Sequence, residues 1–191
     1  MKKISTFLKF SVLSILLTAQ AGSLAGKFAV LEEQWKQSGQ SVFDYCEGLY
    51  YSSETPQKTL CEIYKLEAND NTINGSDYIE CNFRLLKFFN NEGRINSAKI
   101  IEGFHAFGIL DKDLNVTNTV SDCGEELQSE KPIDYYTCFL INHDLNTNFA
   151  EVFKANGVRP HNAGDSYDNQ AAVDKYNQKA KDCSSDTTEV N

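Results

Sequence analysis

Six cysteines constrain this chain more than any other feature: Cys46, Cys61, Cys81, Cys123, Cys138 and Cys183. An even count in an oxidising compartment reads as three disulfides. There is no C-x-x-C, so neither a redox motif nor a zinc ribbon is indicated. Spacing alone does not choose among the pairings that six cysteines admit. The compartment is read from the N-terminus. Lys2 and Lys3 precede a mostly apolar stretch from Phe7 to Ala19, and Ala19-Gln20-Ala21 has the small-x-small pattern of a signal-peptidase site; a second candidate cut follows Ser23-Leu24-Ala25. The apolar run is shorter than the roughly 20 residues that span a bilayer. The expectation is a secreted protein with no membrane association. Residues 1–21 are the signal peptide, 22–40 a lead-in, 41–183 a single helical domain, and 184–191 a polar tail.

Without Lys2, Lys3 and Lys9 the 18 basic residues fall to 15 against 27 acidic, a formal charge of −12. Nucleic-acid binding needs a basic surface, so that class is excluded. The chain has only three prolines, so few places forbid helix. Ser41 to Tyr51 reads as a first helix, with Val42, Tyr45 and Leu49 on one stripe. Thr55-Pro56 opens a second as N-cap and first helical residue. Ser76 caps a third that runs to about Phe89, with Ile79, Phe83 and Leu86 at helical spacing. Asn96 to Phe107 is a fourth, about Val116 to Leu127 a fifth, and Pro132 to Ile141 a sixth. Asn146 caps a seventh that ends near Asn156-Gly157, and about Asp168 to Asp182 is a polar eighth. No stretch alternates cleanly enough for a strand. The fold class is therefore all-α: a bundle of about eight short helices, each marginal alone, cross-linked by three disulfides.

Catalytic signatures are missing: no G-x-S-x-G, no H-E-x-x-H, no phosphate-cradling glycine loop and no EF-hand pattern. His105, His143 and His161 are scattered; His143-Asp144 reads better as a helix-terminal histidine than as an acid–base pair. The expectation is a binding protein, not an enzyme, with no metal and no cofactor. What the chain has in surplus is aromatic side chains, with twelve Phe, nine Tyr and Trp35. Several fall in pairs: Tyr50-Tyr51, Phe88-Phe89, Tyr135-Tyr136, and Phe149 with Phe153. Core packing is the first explanation of such rings, and a pocket for a small aromatic or lipid ligand is the second. Asn74-Gly75-Ser76 and Asn115-Val116-Thr117 are N-glycosylation sequons, which suit secretion.

Several local patterns resemble one family. Cys61-Glu62-Ile63 with Lys65 and Glu67, Cys81-x-x-Arg84-x-Leu86-x-Phe88 followed by Gly93-Arg94, Tyr136-Thr137-Cys138-Phe139-Leu140, and Phe149-x-x-Val152-Phe153 are together similar to the short salivary D-seven proteins of blood-feeding flies, within the insect odorant-binding-protein superfamily. The likeness runs from about Cys46 to Cys183. Asp77 stands where ordinary odorant-binding proteins carry a further cysteine. The resemblance implies an eight-helix bundle with Cys46–Cys81, Cys61–Cys183 and Cys123–Cys138 paired. It also implies a scavenger that sequesters host amines such as serotonin, histamine and catecholamines in saliva.

Carried over residue by residue, the resemblance implies a ligand site at Glu47, Tyr64, Tyr78, Tyr136, Phe149, Phe153 and Lys154. Glu47, Tyr136, Phe149 and Phe153 match the family. Tyr78 stands in place of a histidine, Tyr64 in place of an arginine, and Lys154 in place of an aspartate. A lysine where an ammonium should be neutralised is repulsive. The expected ligand is therefore an anionic or neutral aromatic mediator, a nucleotide or an eicosanoid, contacted by Lys154. The alternatives are inhibition of a host coagulation or contact-system protein, which the acidic charge suits, and carriage of odorant-like hydrophobic ligands. The expected state is a monomer.

Overall fold

The computed structural model describes residues 24–185 apart from 91, 128–130, 165 and 166. The signal peptide assigned to residues 1–21, and most of the polar tail, lie outside the described residues. In chain order the helices are α1 (Leu24–Ser38), α2 (Val42–Tyr50), α3 (Gln57–Tyr64), α4 (Gly75–Leu85), α5 (Ser97–Ala106), α6 (Asp113–Leu127), α7 (Pro132–Ile141), α8 (Asn146–Gly157) and α9 (Asn169–Ser185). Among the described residues there is no strand. Isolated bridges pair Ser41 with Pro160 and Phe89 with Ile95.

Residues up to Ser38 form one unit and the remainder a second. The first contains α1, where the sequence pattern indicates only a lead-in. Several of its ties join residues three and four apart along the helix. Lys36 pairs with Glu32 at 2.8 Å, Gln37 donates to Glu33 at 3.0 Å, and the Ser38 hydroxyl donates to the Trp35 carbonyl at 2.7 Å.

In the second unit the helix ends follow capping chemistry, with instructive departures. Ser41 caps α2 as expected, its Oγ accepting from the Asp44 amide at 3.1 Å. Leu49, assigned to the same stripe as Val42 and Tyr45, is 48% exposed. Thr55 does not cap α3; its hydroxyl accepts from the Ser52 amide at 2.9 Å in the preceding turn, and Pro56 takes the cap position. Asn74, in the left-handed region at φ 54°, precedes α4 in place of Ser76. That helix stops at Leu85 rather than near Phe89, because Lys87 adopts φ 65°. The reversal turns Phe88 and Phe89 inward, to 2% and 3% exposure. α6 starts one turn before Val116, at Asp113. Leu145 rather than Asn146 occupies the cap of α8.

All three disulfides take the pairing implied by the resemblance. Cys46–Cys81 joins α2 to α4, Cys61–Cys183 joins α3 to α9, and Cys123–Cys138 joins α6 to α7. Each clamps two helices that also pack on one another, so the crosslinks reinforce interfaces that short helices could not hold alone. α8 is the hub, packed on α2, α5, α7 and α9. Its Phe149, Val152 and Phe153 recur at helical spacing and are all 0% exposed. Full burial of such side chains contributes roughly 1.5–3 kcal/mol each.

Candidate functional site

The interior is a continuous path of rings. Phe83 of α4 lies 5.8 Å from Phe88, 6.3 Å from Tyr136, 6.4 Å from Phe149 and 5.9 Å from Phe153, centroid to centroid. Phe149 and Phe153, one turn apart on α8, stack at 5.7 Å. Tyr136 of α7 meets Phe153 at 5.5 Å. The path continues through Phe43, 5.0 Å from both Phe153 and Tyr176, to Tyr64, which meets Tyr176 edge-on at 5.9 Å. Such offset and edge-to-face pairs are the favoured geometries of aromatic side chains.

Polar atoms punctuate this apolar interior, and not all are satisfied. The hydroxyls of Tyr78 and Tyr136 and the Oδ1 of Asn82 are buried with no hydrogen-bonding partner. Leaving such a group unpaired costs about 1–3 kcal/mol. Asn82 does use its Nδ2, which donates to the Tyr78 carbonyl at 2.8 Å. By contrast the Tyr176 hydroxyl donates to the Ile63 carbonyl at 3.1 Å, and the Tyr51 hydroxyl to the Ile73 carbonyl at 3.0 Å.

Burial first, then neighbouring Tyr176 and the Glu47 carboxylate, push the Tyr78 phenol well above its ordinary pKa; Asn82 pulls the other way without a hydrogen bond of normal geometry. Tyr136 is raised by burial and then by Tyr78 and Glu67; Tyr176 is raised by burial and then by Tyr136, Glu47 and Tyr64, with the Tyr78 hydroxyl pulling the other way without a hydrogen bond of normal geometry. These three phenols are mutual neighbours held neutral. A phenol ionises near 10 when exposed. Its folded value being raised, the stability it contributes is complete below that pH and declines above it. Urea unfolding through this range will show a loss of about 1.4 kcal/mol per pH unit for each of the three phenols. A flat alkaline profile contradicts their burial.

At the edge of this packed ring cluster Glu47, one residue after Cys46 on α2, accepts from the Tyr64 hydroxyl at 2.7 Å. It also takes Lys179 of α9 at 3.4 Å. Burial and this hydrogen bond raise the Tyr64 pKa. The Lys179 ammonium stands 4.7 Å from the Tyr64 ring centroid, close enough for a cation–π contact. Lys179 also lines a cavity of about 150 Å³ shared with Ser41, Phe43, Asp44, Tyr167 and Tyr176. Phe43 and Tyr176 thus form a wall between this cavity and the ring path.

The site residues expected from the sequence fall into three places. Tyr78, Tyr136, Phe149 and Phe153 meet in the buried interior. Glu47 and Tyr64 meet at its edge. Lys154 lies apart from the rings, half-buried against α9, where its Nζ donates to the Asn177 Oδ1 at 2.9 Å; burial lowers its pKa. The sequence pattern left Phe43, Phe83, Asn82, Tyr176 and Lys179 out of the site. One signal was available for two of them. On the otherwise polar α9, Val173, Tyr176, Lys179 or Ala180, and Cys183 recur at helical spacing and face inward.

His105 pairs with Asp113 at 2.7 Å on the surface, and His143 is exposed in the turn after α7. Among the described residues no group of three His, Cys, Asp or Glu side chains could hold a metal, and no free cysteine is present. No helix of the described residues is long and apolar enough to cross a membrane. Of the two sequons, Asn74 is exposed, its Nδ2 donating to the Tyr50 carbonyl at 2.8 Å, whereas Asn115 lies half-buried within α6.

The PBP/GOBP family profile matches residues 29–142. The chain belongs to the PBP/GOBP family. This PBP/GOBP protein is 28% identical over 127 residues to the long form salivary protein D7L1 of Aedes albopictus. It is 26% identical over 129 residues to the long form salivary protein D7L2 of Aedes aegypti. Each alignment takes in 65% of this chain and 38% of the relative, so it spans about two fifths of the curated relatives' length. These relatives bear out the resemblance to salivary D-seven proteins, and the family bears out the all-α, disulfide-linked fold.

Proposed function

We propose that this PBP/GOBP protein is secreted in saliva and captures a small host mediator in a chamber that opens among the buried rings, one molecule per chain. The observation that carries this reading is the pair of buried, unpartnered phenol hydroxyls, Tyr78 and Tyr136, set among stacked rings. A ligand with an aromatic or polyene body and an internal hydrogen-bonding group satisfies both features at once. The relatives' salivary origin supports the setting. On this reading the rings of Phe43 and Tyr176, which separate the cavity beside α9 from the interior, move together to admit the ligand.

The charge around the chamber argues against an amine as the preferred ligand. Glu47 is already matched by Lys179 and by the Tyr64 hydroxyl. A neutral or anionic mediator, an eicosanoid or a nucleotide, fits this balance better.

Calorimetric titration of the oxidised protein against serotonin, histamine, noradrenaline, ADP and an eicosanoid tests the reading. The expected result is one-to-one binding of the eicosanoid or ADP, with the amines weaker. Tyr136→Phe should weaken that binding by about tenfold while raising the stability of the free protein by about 1 kcal/mol, because it removes a buried hydroxyl with no partner. Silence across the panel overturns small-mediator capture and turns attention to a protein target such as a coagulation factor.

A further inference from the structure

We infer that Lys179 is a tethered cation that occupies the ammonium position of the chamber and thereby sets its ligand class; this rests on the capture reading above. Three contacts define that position. The Glu47 carboxylate supplies the counter-charge at 3.4 Å, the Tyr64 ring supplies a π face at 4.7 Å, and the Tyr64 hydroxyl bound to Glu47 at 2.7 Å holds both in one orientation. A carboxylate beside an aromatic face is the arrangement that recognises an alkylammonium group. Here the chain fills it from 132 residues away in sequence.

The placement is not a loose surface pair. The side chains of Glu47 and Lys179 are 24% and 35% exposed. The Glu47 charge reaches inward, where it raises the pKa of Tyr51, Tyr78 and Tyr176. α9 is fixed at this point from both sides. Cys183, one turn further on, is bonded to Cys61, and the Tyr176 hydroxyl, one turn earlier, is bonded to the Ile63 carbonyl. The lysine stem therefore cannot drift away, although its head can rotate. Asp44 lines the same 150 Å³ cavity as Lys179 and offers a second carboxylate to which the displaced ammonium can turn.

An aryl-ammonium ligand must expel the Lys179 head before it can pair with Glu47. A neutral or anionic aromatic ligand need not, and an anion gains from Lys179. The residue thus discriminates by occupying the competing ligand's place, a repulsive device built into the free protein.

Three probes that share one ring system separate the cases: tryptamine as the cation, tryptophol as the neutral form and indole-3-propionate as the anion. In the wild-type protein tryptophol and indole-3-propionate are expected to bind tighter than tryptamine. In Lys179→Met, which keeps the apolar stem, tryptamine should gain about tenfold relative to tryptophol. Adding Glu47→Gln to that variant should abolish the gain. If tryptophol binds both proteins but tryptamine gains nothing, the role of Lys179 is wrong and the chamber reading stands. If none of the three binds either protein, the Lys179 inference falls, and the chamber reading is decided separately by the eicosanoid and ADP titration.

Should Lys179→Met not fold, the wild-type protein answers the same question. The rate of Lys179 acetylation by acetic anhydride, followed by peptide mass spectrometry, should rise on saturation with N,N,N-trimethyltryptammonium, a cation the reagent cannot acylate, and not with tryptophol. An unchanged rate overturns the inference.

Discussion

Replacing Cys61 and Cys183 together with alanine is expected to lower the unfolding free energy by about 5 kcal/mol. Replacing Cys123 and Cys138 is expected to lower it by about 3 kcal/mol. The difference follows from the chain closed by each bond. Cys61–Cys183 spans 122 residues and Cys123–Cys138 spans 15, and the entropy removed from the unfolded chain grows with the logarithm of that length. The native contacts point the same way. α9 is polar along most of its length, and its buried side chains are Tyr176, which is 5% exposed, and Cys183, which is 2% exposed. α6 and α7 are additionally joined by Asn142 donating to Thr119 at 3.1 Å. Urea unfolding of the two double variants checks the order, and equal losses, or a larger loss for the short loop, contradict it. The long-loop variant should also loosen the Lys179–Glu47 contact, because the disulfide anchors α9 to α3 one turn beyond Lys179.

Gly157→Ala is expected to destabilise the protein by about 3 kcal/mol. Helix propensity alone argues the opposite, since alanine is favoured over glycine by about 1 kcal/mol in a helix. The sign is decided by packing. A Cβ built on Gly157 lands on the Cε1, Cζ and Cδ1 atoms of Phe43, far inside van der Waals contact. The Phe43 ring is 2% exposed and sits against Phe153 and Tyr176, each 5.0 Å away. It has no room to withdraw without disturbing those two rings. Phe43→Leu in the Gly157→Ala background should recover part of the loss, giving a favourable coupling in a double-mutant cycle. Stabilisation by Gly157→Ala alone would show that the ring yields freely.

Gly157 also shows where local sequence stops being informative. In the sequence an Asn-Gly pair after an apolar helix reads as a stop signal, and α8 does end there. The glycine is needed for another reason, the close approach of a phenylalanine more than a hundred residues earlier. Much else was legible because it is local. Helical periodicity marks Phe149, Val152 and Phe153 as one buried stripe, and proline at the start of α7 and serine before α2 mark helix ends. The resemblance to salivary D-seven proteins supplied the disulfide pairing, which spacing left open. The stop of α4 at Leu85 was not legible. Lys87 in a left-handed conformation carries no composition signal, and it is held there by the burial of Phe88 and Phe89.

The candidate site divides along the same line. Glu47, Tyr64, Tyr78, Tyr136, Phe149 and Phe153 could be named from the sequence only through the resemblance to salivary D-seven proteins, which places them by their offsets from the cysteines and on the penultimate helix. That Tyr78 and Tyr136 keep unpartnered hydroxyls, that Lys154 turns to Asn177, and that Lys179 meets Glu47 depend on how α9 packs. α9 carries a single aromatic residue and has little apolar surface of its own. The sequence by itself determined that this chain forms short amphipathic helices stapled by disulfides, since hydrophobic periodicity and capping act within a few residues. Only the tertiary structure decided which charges face one another at the chamber, since an ion pair across 132 residues depends on where the fold brings two distant helices together.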